Sequence, residues 1–198
     1  MEGIKAIPLD ALVMQIGHGK KYKTILIDPP YKYDVPVKRK DSRKGRKERP
    51  GETMLPPYPM MEMQEIEKLP TKDLADEGCH LWLWTTNKYL PNAFRLCEIW
   101  GFKFFHLITW IKPSGMGMWF VHRTQPLIFA YKGKLNLQRK CNPDVLFSGN
   151  PKRHSEKPDI SYELIEAVSL SPKIELFARR QREGWDVWGN EVESDITL

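Results

Sequence analysis

A short apolar run, Thr24-Ile25-Leu26-Ile27, stops abruptly at Asp28-Pro29-Pro30-Tyr31. That stop constrains the fold more than any other stretch. The run follows a basic, glycine-containing segment (17–23) and reads as a buried core strand. Two adjacent prolines end it, because each lacks a backbone N–H and has its φ fixed. Pro30 biases Pro29, and Pro29 biases Asp28, toward extended backbone. In open α/β sheets, ligands sit beyond the carboxyl ends of strands, which is where these four residues fall. The outcome is a stiff rim bearing a carboxylate, carbonyl acceptors and an aromatic ring.

Such a rim suits an exocyclic amine, which offers two N–H donors. Asp28 accepts one and the Pro29 carbonyl the other, while Tyr31 stacks on the attached base. Accepting both hydrogens turns the nitrogen lone pair toward an electrophilic methyl group, so the gain is mainly orientation and charge placement. Edge hydrogen bonds plus aromatic stacking are how enzymes hold a flipped nucleobase. Read alone, an ordinary strand-ending turn stays open as the alternative.

Further along, 60–74 reads as one or two short helical pieces interrupted at Pro70, and 80–85 as a second strand. Pro91 can occupy the first turn of a helix over 91–100, with Gly101 as terminator and Ala93, Cys97 and Trp100 on its core face. Strands follow at 104–111 and 126–131, with 113–117 (Gly115 and Gly117) as a glycine-rich connection. A helix over 158–170, a strand over 174–178 and a terminal segment over 185–190 complete the pattern. Short apolar strands alternating with helices predict an α/β sheet covered on both faces.

Composition narrows the function. The 198 residues are 41% hydrophobic, with no signal-peptide-like start and no run long and apolar enough to span a membrane, so an intracellular, non-membrane protein is expected. Cys79, Cys97 and Cys141 show no CxxC pair, and the five histidines (18, 80, 106, 122, 154) lack metal spacing, so no metal is expected. The formal charge of +6 is concentrated: between positions 38 and 49 there are eight basic and two acidic residues. The stretch 32–58 has little apolar periodicity and is expected to be a long mobile loop. Its charge suits a polyanion or, more plainly, a solvated surface.

The ordered set of motifs resembles the MT-A70-like family of S-adenosylmethionine-dependent adenine N6-methyltransferases, in its compact bacterial or phage DNA-modifying form. The resemblance runs over about 22–191. It rests on Ile27-Asp28-Pro29-Pro30-Tyr31, Pro57-Tyr58, Leu81-Trp82-Leu83-Trp84-Thr85, Trp110-Ile111-Lys112, His154-Ser155-Glu156-Lys157-Pro158, the run from Lys173 through Ile174-Glu175-Leu176-Phe177-Ala178 to Arg179, and Gly189-Asn190. It implies a Rossmann-like methyltransferase domain over 1–198 with circularly permuted motif order, the catalytic strand early and much of the cosubstrate site late. It further implies Asp28, Pro29, Pro30 and Tyr31 as the catalytic rim. Asp28, Lys157, Arg179, Asn190 and Glu191 become the S-adenosylmethionine-binding set, with Lys157 on the methionine carboxylate and Asp10 or nearby backbone near its adenine. The chain departs from the family's messenger-RNA enzyme at Tyr31 (tryptophan there), Glu156 (histidine), Arg180-Gln181-Arg182 (Pro-His-Asn) and Glu191 (glutamine).

The function expected is therefore methyl transfer to the N6 amine of adenine in DNA after base flipping, in the cytoplasm of a bacterium or phage-infected cell. An RNA adenosine N6-methyltransferase, a DNA cytosine N4-methyltransferase and a non-catalytic nucleic-acid-binding subunit are the alternatives, and a homodimer stays open. Nucleic acid is expected to meet Lys38, Arg39, Lys40, Arg43, Lys44, Arg46, Lys47 and Arg49, with Tyr58, and Tyr33 beside it, admitting the target nucleotide. We expect glutamine at Lys38, Arg39, Lys40, Arg43 and Lys44 to weaken nucleic-acid binding while sparing cosubstrate binding. The slope of log affinity against log salt becomes shallower in titrations across salt concentrations. Unchanged affinity and slope would make the charge an idle surface.

Overall fold

The computed structural model describes residues 20–32, 59–116, 119–134, 136–147 and 156–198. Asp10, His18, Tyr33, the basic stretch 38–49, Tyr58, Gly117 and His154 lie outside the described residues. The elements are β1 (Tyr22–Ile27), α1 (Met63–Glu67), α2 (Thr71–Leu74), β2 (Ala75–Trp84), α3 (Leu90–Ile99), β3 (Lys103–Met116), β4 (His122–Lys132), β5 (Val145–Phe147), α4 (Asp159–Val168), β6 (Lys173–Leu176) and β7 (Trp185–Trp188). The strands form one seven-stranded sheet in the order β5-β3-β4-β2-β1-β6-β7. Only β4 runs against the others, pairing antiparallel with both β2 and β3. This is the mostly parallel, Rossmann-like α/β sheet expected.

Period-two alternation divides each central strand between two cores. Ile25, Ile27, Leu81, Leu83, Ile174 and Leu176 join Ile66 of α1, Leu74 of α2 and Ala93, Leu96 and Cys97 of α3. Leu26, Trp82, Trp84, Leu127 and Phe129 pack with Leu164, Ile165 and Val168 of α4 on the opposite face. Helices thus cover both faces, which is why β1 ends in three consecutive apolar residues, Ile25, Leu26 and Ile27, instead of alternating with polar ones. Cys79 and Cys97 are core residues, and burial pushes both thiols up to about 12. Pro91 lies in the first turn of α3, and Gly101 follows it at φ +78°.

The structure corrects the reading of 113–117. Residues 113–116 are not a connection but the distal part of β3, which runs antiparallel to β4 out to Met116 opposite His122. Pro113 has no N–H to give the ladder, and the register shifts between Ile111 and Met116. Gly115 then lets the arms approach closely: a Cβ there would lie 2.3 Å from the His122 carbonyl oxygen. Strand β5, only three residues long, has too few positions to show periodicity and was not predicted.

Beyond β6, Phe177 adopts φ +63°, a left-handed conformation that is uncommon for a bulky residue. The turn brings the Ala178 N–H to the Trp188 carbonyl at 2.9 Å. Gly189 sits against the same backbone, and a Cβ on it would fall 2.2 Å from the Ala178 oxygen. We expect Gly189→Ala to destabilise the fold by about 1–3 kcal/mol, the range for overpacking a filled site. Urea denaturation checks this, and an unchanged midpoint would mean the β6 and β7 ends separate freely.

Candidate active site

Strand register places the candidate residues along one edge. Ile27 is level with Leu83 on β2 and Leu176 on β6, and Leu176 with Trp188 on β7. One step further, Asp28, Trp84, Phe177 and Gly189 form a row at the carboxyl ends of four parallel strands. This is the position at which α/β sheets bind ligands.

Lys157 donates from Nζ to Asp28 Oδ2, across 129 positions of sequence. The side chains are only 7% and 19% exposed, so each charge depends on the other. Lys157 also lies over the Trp84 ring, 5.5 Å from its centroid. Its placement comes from α4. Pro158 caps that helix, and Asp159, its first residue, takes Arg180 and, at 2.9 Å, Arg182. The Arg182 hydrogen bond leads in holding the Asp159 carboxyl below its usual range. Arg182 also stacks 3.8 Å from the centre of the Tyr162 ring. Lys157 is therefore held next to a helix end anchored from two sides.

Beneath this pair lies a second carboxylate that the sequence reading did not select. Glu175 of β6 is buried and accepts a 2.7 Å hydrogen bond from the Tyr162 hydroxyl. Desolvation pushes its carboxyl up to about 7, the Tyr162 hydrogen bond opposes this, and the nearby Asp28 charge adds to the rise. Lys112 of β3 is held below the usual lysine range, first by burial and then by repulsion from Lys157, with Asp28 opposing. Its Nζ sits 5.1 Å from the centre of the Trp110 ring, which meets Trp84 edge-on. Trp84 is fully buried, yet its indole N–H has no hydrogen-bond partner among the described residues. An ammonium and an unspent N–H donor on one aromatic wall form a donor set suited to a carboxylate.

The Asp28–Tyr31 rim is braced by its own backbone. The Tyr31 N–H donates to the Pro29 carbonyl at 2.8 Å, and the Met61 N–H to the Pro30 carbonyl at 2.8 Å. A carbonyl has two lone pairs, so Pro29 retains one for a ligand. Tyr31 is not presented as an open face: it is 3% exposed, stacks at 4.8 Å on Tyr89, and donates from its hydroxyl to the Trp84 carbonyl at 3.2 Å. Base stacking on this ring therefore requires Tyr89 to move or to share the stack.

Arg179 and Glu191 lie 3.8 Å apart with Asn190 exposed beside them, past the ends of β6 and β7. The structure thus gathers Asp28 with Lys157, and Arg179 with Glu191, along one edge. Among the residues given no role from the sequence, Glu175 left a signal, an acid between Ile174 and Leu176 in a core strand, and Lys112 stood in the Trp110-Ile111-Lys112 motif; Tyr162 and Tyr89 left none. Among the described residues there is no cluster of three or more metal-ligand side chains. His80, for instance, is buried against the Ser169 hydroxyl at 2.9 Å.

The MT-A70 family model matches residues 22–191. The chain belongs to the MT-A70 family. A relative named Type II methyltransferase M.MunI, from Mycoplasma, is 30% identical over 95% of this chain and 84% of its own length. An Arabidopsis thaliana protein named N(6)-adenosine-methyltransferase MT-A70-like is 28% identical over 69% of this chain. A mouse protein named N(6)-adenine-specific methyltransferase METTL4 is 26% identical over 88%. The matched regions span 21% of the plant protein and 38% of the mouse one.

Glu175 gives the domain a pH signature. Its folded value, about 7, lies above the unfolded 4.5, so its contribution to stability is fully present below about pH 4.5 and lost as pH rises through about 7. Glu175→Gln keeps an acceptor for Tyr162 but cannot titrate. We expect the unmodified protein's melting temperature to fall more steeply than the variant's across that interval; parallel profiles would show that Glu175 titrates normally.

Proposed function

We propose that this chain transfers a methyl group from S-adenosylmethionine to the N6 amine of adenine in DNA. The observation that carries this reading is the Asp28–Lys157 pair at the sheet's carboxyl edge, next to two proline carbonyls, in a chain of the MT-A70 family. The DNA assignment follows the Mycoplasma Type II methyltransferase, a relative matched along most of both chains.

S-adenosylmethionine supplies an electrophilic methyl group on a sulfonium, so the protein needs to provide no oxidant and no metal ligand set. Lys157 and the Trp84 N–H, which has no partner among the described residues, would be the donors for its carboxylate. Asp28 would face its cationic side, and Arg179, Asn190 and Glu191 would be the polar groups for its nucleoside part. Toward the target, Asp28 and the second lone pair of the Pro29 carbonyl each accept one amine hydrogen. Holding both hydrogens fixes the direction of the nitrogen lone pair, a contribution of orientation. As positive charge develops on that nitrogen, the Asp28 carboxylate stabilises it within a wall of tryptophans where water screens little.

The test incubates purified protein with labelled S-adenosylmethionine and single- and double-stranded DNA and RNA, then identifies the methylated nucleoside by mass spectrometry. N6-methyladenine in DNA is expected. N4-methylcytosine, methylated RNA alone, or no product would each overturn the reading. Asp28→Ala is expected to lower turnover by on the order of 100-fold or more and, because it strips Lys157 of its counter-charge, to lower the melting temperature and weaken cosubstrate binding in calorimetry as well. Adenine methylation at the unmodified rate would remove Asp28 from the reacting amine.

A further inference from the structure

The β3–β4 hairpin overruns the sheet that carries it. β2 ends at Trp84, level with Leu127 on β4 and through it with Ile108 on β3, yet β3 and β4 continue to pair through Ile111–Thr124 and Met116–His122. On this overhang Trp119 is 88%, Phe120 79% and Val121 61% exposed. Consecutive apolar side chains this open to water mark an interaction surface more often than a scattered exposed residue does.

The overhang is tied across its own arms and, at its root, to the loop that carries Tyr89. Arg123 Nε donates to the Lys112 carbonyl at 3.0 Å, and the Lys112 side chain senses the charges of Lys157 and Asp28. Asn87 donates to the Thr124 hydroxyl at 3.1 Å, two residues before Tyr89, which stacks on Tyr31. Gly115 packs the two arms closely together, against the His122 backbone.

Its charge selects the occupant. The overhang, 112–124, carries Lys112 and Arg123 and no aspartate or glutamate. Two such arms facing each other across a symmetric dimer would repel, since that symmetry sets like surfaces together. A polyanion carrying stacked aromatic bases satisfies both the cations and the rings.

We propose that Trp119 and Phe120 insert into the base stack of duplex DNA beside the target and hold open the gap left by the extruded adenine. The role rests on the adenine reading above. Apolar wedges of this kind unstack a base step, offsetting part of the cost of extrusion. Arg123, at the root of the arm, meets an adjoining phosphate.

The test uses an adenine-bearing strand that the unmodified protein methylates, in three forms: fully paired, with an adenine–cytosine mismatch at the target, and single. For Trp119→Ala combined with Phe120→Ala, we expect kcat/KM on the paired form to fall about tenfold or more. On the mismatched and single forms it stays within about threefold, because a target already unpaired needs less help to leave the stack. A 2-aminopurine at the target brightens with the unmodified protein and stays dark with the variant, and Trp119→Tyr restores most of both signals. Equal loss on all three forms, no loss on the paired form, or a fall in sedimentation mass indicating a contact between copies would each overturn the wedge while leaving the adenine reading intact. Failure of the unmodified protein to methylate adenine in any form would overturn the adenine reading and the wedge with it.

Discussion

A lysine ammonium almost wholly removed from water must be answered by a negative charge, and Lys157 is answered by Asp28. Losing one partner of such a buried pair leaves an uncompensated charge, an effect of about 3–5 kcal/mol in comparable cases. Much of the architecture around the edge serves this pairing. β1 brings Asp28 to the middle of the sheet, between β2 and β6. α4, held through Asp159 by Arg180 and Arg182, delivers Lys157 from the opposite end of the sequence. The pair is thus both a structural bond and the polar centre of the proposed chemistry, so substitutions there are best judged by binding and turnover together.

The departures from the family's messenger-RNA enzyme make sense together rather than singly. Arg180 and Arg182 both engage Asp159, and Arg180 also reaches Glu156 at 4.0 Å. Arg182 covers the Tyr162 ring whose hydroxyl reaches Glu175. These positions form one charge network around the start of α4. Across the sheet edge, Arg179 and Glu191 form a separate pair.

Much of the fold was legible because β1, β2, α3, α4 and β6 carry strong apolar patterns, and proline or glycine punctuates several of their ends. The boundaries that failed lie where local chemistry and pairing disagree. Pro113 and Gly115 look like a loop in sequence, but β4 supplies a partner that keeps them extended. Of the candidate site, the carboxylate rim was visible as a motif, whereas its lysine partner stood out only through resemblance. The Glu175–Tyr162 contact joins a strand to a helix, and periodicity does not report which residues meet across such a boundary. The stacking of Tyr31 on Tyr89 was illegible for the same reason: it depends on how two loops approach, not on either loop's residues.

The position of β1 has a consequence for the order in which the molecule is made. It is an early strand, yet it ends up in the interior of the sheet, with β2 on one side and β6 on the other. During synthesis from the amino end, β2 is available soon after it, but β6 and β7 emerge only after β3, β4 and α4. Until then one flank of β1 offers unsatisfied N–H and C=O groups, an edge on which other chains can pair. Asp28 likewise waits for Lys157 through most of translation. A ribosome-bound intermediate lacking residues 156–188 therefore has the Asp28 carboxylate but neither its counter-charge nor the strand that buries its neighbour, so the nascent chain is open to aggregation before its sheet edge is complete.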